Sequence, residues 1–408
     1  MLDYALIHDW LAFALRWLHV ITAIAWIGSS FYFIALDLGL RKRPDLPDGV
    51  QGEEWQVHGG GFYHIQKYLK APASLPEHLI WFKWESYATW LSGFALLAVV
   101  YYMGADLYLI DARKLDVSAP VAILLSIASL FIGWIAYDRV CKSKFGDDNT
   151  RLMLFLFVVL VVLSWGFDQI FSDRAALLHL GALTATIMSG NVFRVIIPNQ
   201  TIVVEDLKAG RVPDAKYGKI AKQRSTHNNY LTLPVLFFML SNHYPLAFAS
   251  EYNWIIAALV FLMGVTIRHF FNTMHAGGGK LWWTWGVTTG LFVAIMALSM
   301  APLNPPNERD NLGALPPAQQ RFVEAEGFDE AYLVVVSRCS MCHGEYPAWD
   351  NLRVAPKGVV LETEGQIAAH AHEIFLQAGV THAMPPSNIT EMEPEERDAI
   401  VAWYRAAQ

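Results

Sequence analysis

Residues 152–167 read Leu152-Met-Leu-Phe-Leu-Phe-Val-Val-Leu-Val-Val-Leu-Ser-Trp-Gly-Phe167, a run without a single charge. A helix that crosses a bilayer needs about 20 mostly apolar residues. Comparable runs recur along the first three quarters of the chain. They predict eight spans, near 10–37, 80–104, 119–138, 151–170, 175–197, 229–247, 253–272 and 281–302. A very short turn, Phe171-Ser-Asp-Arg174, separates the fourth span from the fifth. The whole chain is 54% hydrophobic and 16% charged, against about 25% charged in an average soluble protein. The shortage of charge is confined to residues 1–302. Net charge is −7, and no basic patch interleaved with aromatics occurs. Nucleic acid is therefore excluded as a partner, and the expected surroundings of residues 1–302 are the lipid bilayer.

Orientation follows from Lys and Arg in the loops. The first, third and fifth loops are rich in both, from Arg41-Lys-Arg43 through Arg139, Lys142 and Lys144 to Lys208–Arg224. The short seventh holds Lys280. The alternate loops hold only Arg113, Lys114 and Arg174. The basic loops are expected inside, so both termini are expected outside. The opening stretch, MLDYALIHDW, has no basic start and no small-residue cleavage site, so the first span is expected to be retained. Beyond the last span, Pro302-Leu-Asn-Pro-Pro306 and Leu315-Pro-Pro317 cannot continue a helix. Residues 303–320 are expected to be a semi-rigid tether.

Residues 321–408 have the composition of an ordinary soluble domain, and they hold Cys339-Ser-Met-Cys342-His343. This is the C-x-x-C-H pattern for covalent c-type haem. Cys339 and Cys342 would form thioethers to the porphyrin, and His343 would be one axial ligand. No second C-x-x-C exists to complete a zinc site. Met384, before Pro385-Pro386, is the expected second ligand, with His382 its main rival and His370 and His372 more distant ones. A helix leads into the motif at 330–337, and an amphipathic helix with acidic residues in its first turn closes the chain at 394–404. The expected fold is thus all-α: an eight-span transmembrane bundle over 1–302, then a small α-helical cytochrome c domain over 321–408. A c-type haem is attached on the outer side of the bacterial inner membrane, the side on which the loop charges also place the C-terminus. Three cysteines exclude a disulfide framework, and Cys141 reads as a small buried residue.

The chain has fourteen histidines, and nine of those in the spans and their loops sort by depth. Ionisable residues within spans usually mark function, because they are costly in lipid. His19, His179 and His243 fall in the outer half on different spans, and are candidate ligands of a b-type haem iron. His58, His64, His78, His227, His269 and His275 fall on the inner side with Glu85, Arg224 and Arg268. There, Arg224-Ser-Thr-His-Asn-Asn-Tyr230 and Arg268-His-Phe-Phe-Asn-Thr-Met-His275 form a dense set of donors for a planar anion. Glu85, His227, Arg268 and His269 are the candidate catalytic residues. His58, Arg224, Asn228 and Asn229 are the candidate substrate-binding ones. His58-Gly-Gly-Gly-Phe62 is expected to be a loop that approaches a ligand by its backbone. Arg224 and Arg268 also fit the plainer role of positive anchors at the inner face.

The whole chain resembles the membrane-bound bacterial urate oxidase (urate hydroxylase) family with a C-terminal cytochrome c domain. The resemblance is carried by His58-Gly-Gly-Gly-Phe-Tyr-His64, Ser74-Leu-Pro-Glu-His-Leu-Ile-Trp-Phe-Lys-Trp-Glu85 and Thr226-His-Asn-Asn-Tyr-Leu-Thr-Leu-Pro-Val-Leu-Phe-Phe238, joined to Cys339–His343. It implies that urate is oxidised to 5-hydroxyisourate on the cytosolic side. Electrons would pass to haem c and on to a respiratory-chain acceptor, either a soluble cytochrome c or a terminal oxidase. It implies no catalytic residue. Two other functions fit the same architecture: a redox enzyme acting on a quinol or another purine, and a non-enzymatic shuttle or transporter carrying a cytochrome.

Overall fold

The computed structural model describes residues 4–69, 72, 75–300, 315–349, 352 and 355–408. Helix α1 spans Tyr4–Gly39, and α2 spans Trp84–Leu97 and continues through a π turn to Tyr102. After a short α3 (Ala105–Tyr108) come α4 (Ala119–Lys142) and α5 (Asn149–Ile170). Helix α6 (Asp173–Asn191) runs through a second π turn into α7 (Ile197–Lys208). Then follow α8 (Ala215–Ser241), a short α9 (Pro245–Phe248), α10 (Asn253–His275) and α11 (Trp283–Met300). Among the described residues, five helices are long and apolar enough to cross a membrane: Leu6–Gly39, Ala119–Lys142, Asn149–Ile170, Asp173–Lys208 and Asn253–His275. The other three expected spans are interrupted, short or polar. The run near 80 becomes helical only at Trp84. Helix α8 begins fourteen residues before the expected 229 and carries Lys and Arg there. Helix α11 is shorter than those five.

The bundle is organised around α6. Ser172 caps it by accepting from the Ala175 amide, and α6 is then buried on nearly every face. A helix that is apolar or small-sided all round belongs in a core. Helix α6 packs on α8, α4 and α5, while α1 packs on α2, and α10 packs on α11, α8 and α5. Small residues permit this closeness. A Cβ on Gly190 would overlap the Trp134 indole.

The all-α expectation fails at residues 50–68. Strands β1 (Val50–His58) and β2 (Gly61–Tyr68) form an antiparallel hairpin. Gly59 and Gly60 both have positive φ, +61° and +79°. Two such residues make the tight turn that matches strand twist. The glycine run thus serves a reverse turn, and His58 at its edge is exposed. The hairpin base is anchored by the reciprocal Arg41–Glu53 backbone pair, at 2.9 Å each way. His64 Nε2 donates to Glu53 at 2.6 Å and holds that carboxyl below the usual range.

The C-terminal residues form a second helical unit with its own core. Helices α12 (Pro317–Val323), α13 (Phe328–His343), α14 (Glu364–Ala369), α15 (Ala371–Ile374) and α16 (Pro394–Ala406) surround Phe322, Val335, Ile367, Phe375, Ile400 and Trp403. Pro317 begins α12 rather than extending the tether, since proline suits a first helical turn. The rest of the expected tether, 303–314, lies outside the described residues. The unit rests on the bundle through polar contacts. His372 Nε2 meets Asp9 Oδ1 at 3.0 Å, and its Nδ1 meets Tyr404 Oη at 2.7 Å. Tyr108 Oη donates to Glu373 at 3.0 Å, while Arg174 lies 5.4 Å above the Tyr108 ring.

Two outcomes follow. Gly190→Ala is expected to cost about 1–3 kcal/mol through overpacking, while Gly166→Ala, with open space at its Cβ, costs little. Thermal unfolding of both variants in detergent checks this. At the docking contact, burial opposes the His372 charge, but Asp9 outweighs it and raises the pKa above 6.5. The contact's contribution is therefore complete below pH 6.5 and fades as pH climbs through the raised value. Hydrogen exchange in 371–374, corrected for its intrinsic pH dependence, should accelerate over that window. Asp9→Asn should remove the transition.

Candidate functional site

Helix α8 divides the inner polar residues into two clusters. Its positions 224, 227 and 228 share one face, and 229 lies well round the helix from them. The first cluster lies between α4, α6 and α8. Arg224 Nη2 donates to Asp138 Oδ1 at 2.8 Å, and both residues are buried. Arg224 Nη1 donates to Asn191 Oδ1 at 3.2 Å. Guanidinium groups only donate, so this bond fixes which end of the Asn191 amide is oxygen. Asn191 Nδ2 then donates to Tyr137 Oη and to Asn228 Oδ1, both at 3.0 Å. Asn228 Nδ2 donates to the Met188 carbonyl at 2.9 Å.

Tyr137 Oη accepts from Asn191 and is also hydrogen-bonded to His227 Nδ1, 2.8 Å away. A hydroxyl both donates and accepts, so this contact suits either imidazole tautomer. His227 Nε2 is buried and has no partner among the described residues. Arg224 is committed to Asp138 and retains only Nε unpaired. A guanidinium so paired is neutralised, which argues against its expected role as an anion site.

The second cluster lies between α1, α8 and α10. Arg268 Nε donates to Asn229 Oδ1 at 3.3 Å, and its Nη2 donates to Asn272 Oδ1 at 3.0 Å. Asn272 Nδ2 also donates to Asn229 Oδ1, at 2.9 Å. The guanidinium lies 4.1 Å from the Phe31 ring centroid, where a cation meets the negative ring face. Arg268 is buried, and among the described residues no carboxylate pairs with it. Asn229 Nδ2 is buried and unpartnered. Asn272 stood within the expected donor run but was not chosen as a site residue, and Phe31 was absent from the expected site. The signal for Asn272 was its i+4 spacing from Arg268.

A cavity of about 570 Å³ opens one to two helical turns from this cluster, none of whose residues lines it. It is lined by Ala35 and Gly39 of α1, Met274 and His275 of α10, and Arg41, Arg43, Glu53, Glu54 and Trp55 around the hairpin. Ala35 is one helical turn from Phe31, and His275 about two from Arg268. His275 Nδ1 is buried without a partner. His269 points elsewhere, its ring 6.3 Å from Trp283. Glu85 joins neither cluster, and its Oε2 is buried and unpartnered.

The three outer histidines are not assembled into a clamp. His179 donates from Nδ1 to the Ala175 carbonyl at 2.8 Å, so its Nε2 accepts from Ser126 Oγ at 2.6 Å. Both nitrogens are used, and Phe171 stacks on the ring at 4.3 Å. His179 does not fit an iron in this arrangement. His243 is exposed just past α8. His19 Nδ1 is held by the Thr89 carbonyl at 3.0 Å. Of the three, His19 is the one that lies within a helix with Nδ1 fixed and Nε2 without a partner among the described residues.

The C-terminal residues do suit a covalent haem. Cys339, Cys342 and His343 end α13, and both cysteines are free. Burial pushes the Cys339 thiol up to about 11, so it is a poor thiolate on its own. His343 Nδ1 donates to the Val359 carbonyl at 2.9 Å. This fixes the ring and leaves Nε2 free to ligate, the usual arrangement of a metal-binding histidine. Met384 is exposed on a segment held by Arg397, which donates to its carbonyl at 2.9 Å. Met384 makes no direct contact with His343. Among the described residues, no three His, Cys, Asp or Glu side chains gather to hold a bare metal ion.

A family model described as urate oxidase N-terminal matches residues 5–299. The chain belongs to this family. The match takes in both inner clusters and the hairpin, and it ends before Cys339. No curated protein and no solved structure matches the chain. Membership indicates an oxidoreductase-like enzyme of urate-related oxidation.

The first cluster generates a prediction about stability. Asp138→Asn leaves the Arg224 charge buried without its counter-ion, at a cost of about 3–5 kcal/mol. Tyr137→Phe leaves His227 Nδ1 buried and unpaired, at a cost of about 1–3 kcal/mol. Unfolding of the purified variants should rank them in that order.

Proposed function

We propose that this chain is a membrane-bound urate oxidase whose substrate site is the Arg268 cluster. One observation carries the reading. A buried guanidinium with no carboxylate partner lies one to two helical turns from a cavity at the inner ends of α1 and α10. A buried cation without a counter-ion is costly, and an anionic substrate supplies what is missing. Urate is a planar anion at neutral pH, with carbonyl oxygens around its rim. Arg268 and Asn229 Nδ2 present donors to such a rim, and the Phe31 ring supports the guanidinium from behind.

The reaction adds water to urate and removes two electrons and two protons, giving 5-hydroxyisourate. Arg268 compensates the anion and orients it. His275, at the cavity wall, is placed to accept a released proton through its open Nδ1. We read eight membrane crossings. The five long apolar helices provide five. Helix α2 with its π turn, the outer half of α8, and α11 provide the others. The loop charges place the cavity in the cytosol and the C-terminal unit in the periplasm of a bacterial cell, against the inner membrane.

Cys339, Cys342, His343 and Met384 are the residues we assign to a covalent haem c. Bound there, it supplies a one-electron acceptor that can be emptied by a soluble cytochrome c or a terminal oxidase. His19 is the residue we keep for a b-type haem; its Nδ1 contact to Thr89 orients the ring.

The test is anaerobic addition of urate to the purified full-length protein, followed through the haem absorption. Reduction by urate is expected, and reduction by a quinol but not by urate would sink the reading. Arg268→Gln removes a charged hydrogen-bond donor worth about 1.5–3 kcal/mol. It should raise KM for urate by roughly 10- to 100-fold and leave the haem c spectrum unchanged. An unchanged KM would make Arg268 an anchor at the inner face.

A further inference from the structure

The hairpin does not project away from the bundle. At its base, Lys67 Nζ donates to Asp37 at 2.6 Å. Farther toward its turn, Tyr32 Oη donates to Gln56 Oε1 at 2.8 Å. Tyr32 precedes Asp37 by five residues, about 7.5 Å of helix rise, on the apolar side. The strands therefore fold back along α1 toward the body of the bundle. Their turn lies beyond Gln56 in that direction.

The face of the hairpin at that turn is apolar and open. Val57 and Phe62 are cross-strand partners, and Trp55 pairs with His64 on the same face. Val57 is 74% exposed and Phe62 77%. On α1, the adjacent Tyr32 and Phe33 are exposed too, and so is Ile24 farther along. Tyr32 and Phe33 lie on the stretch of α1 along which the hairpin folds back, and a membrane-crossing α1 gives such exposed apolar residues to lipid.

We propose that the hairpin turn is a lipid anchor. Val57, Phe62 and Trp55 seat at the boundary between headgroups and acyl chains of the inner leaflet. This rests on the membrane reading above. The depth is bounded from both sides. Open strand edges cannot enter hydrocarbon, because their unpaired backbone groups would lose water. Aromatic side chains favour the interface itself. His58, beside the turn, suits the same zone. The anchor ties one wall of the Trp55-lined cavity to the bilayer surface.

Photo-crosslinking in proteoliposomes of the full-length protein tests this. A benzophenone-bearing phenylalanine replaces Phe62, and separately Ile24 on α1 and Val212, a 93% exposed residue between α7 and α8. Lipid adducts at position 62 are expected at a yield near that of position 24 and several-fold above that of position 212. A yield at 62 no higher than at 212, with adducts present at 24, would overturn the anchor and leave the membrane reading standing. Crosslinking of 62 to a second copy of the chain would also overturn it. Absence of lipid adducts at 24 would overturn the membrane reading, and the anchor with it.

Discussion

The bond between Arg224 and Asp138 sets the arrangement of the inner half of the bundle. Both residues lie in an apolar interior, where either charge alone is expensive. The pair therefore exists only if α4 and α8 meet at this level. Because guanidinium donates and never accepts, the pair also orients Asn191 on α6 between them. The hydrogen bonds then continue from Asn191 to Asn228 and Tyr137, and Tyr137 meets His227. A polar network whose members are satisfied favours one arrangement. Three helices are registered by it, and the opposite face of α8 is left to carry different chemistry.

That opposite face explains why a buried Arg can stand without a counter-ion. Arg268 is held by two asparagine oxygens and a phenyl ring, which restrain it without neutralising it. The two arginines are thus chemically distinct, although both open or close a span with a similar run of polar residues. One belongs to the scaffold. The other offers an unspent charge near a cavity.

Much of the helical layout was legible in the sequence, because a long apolar run has few conformations that satisfy its backbone in lipid. The turn at Phe171–Arg174 was read as the break between two spans, whereas its Ser172 cap was not argued. The hairpin was not. Its strands mix Gln, Glu, Lys and His with aromatics, and Gly59-Gly60 is as compatible with a ligand loop as with a tight turn. Only the pairing partner decides between them. The donors at 224–229 and 268 were visible as a group. Their division between two faces of α8 was not argued, nor was Asp138 chosen, though a carboxylate at the end of an apolar run needs a partner. His179 shows the reverse limit. Its place on a span marked it as a ligand candidate, but Ser126 and the Ala175 carbonyl occupy both nitrogens, and no spacing rule reports such partners.

Among the described residues, the C-terminal unit rests on the bundle through His372–Asp9 and Tyr108–Glu373, with α12 against α3 and residues 356–358 against α9. On one chain the encounter is intramolecular. A covalent connection raises the local concentration of the unit at its seat, so a contact too weak to join separate molecules still forms. Such a contact lets the unit leave its seat and return without separation from the protein.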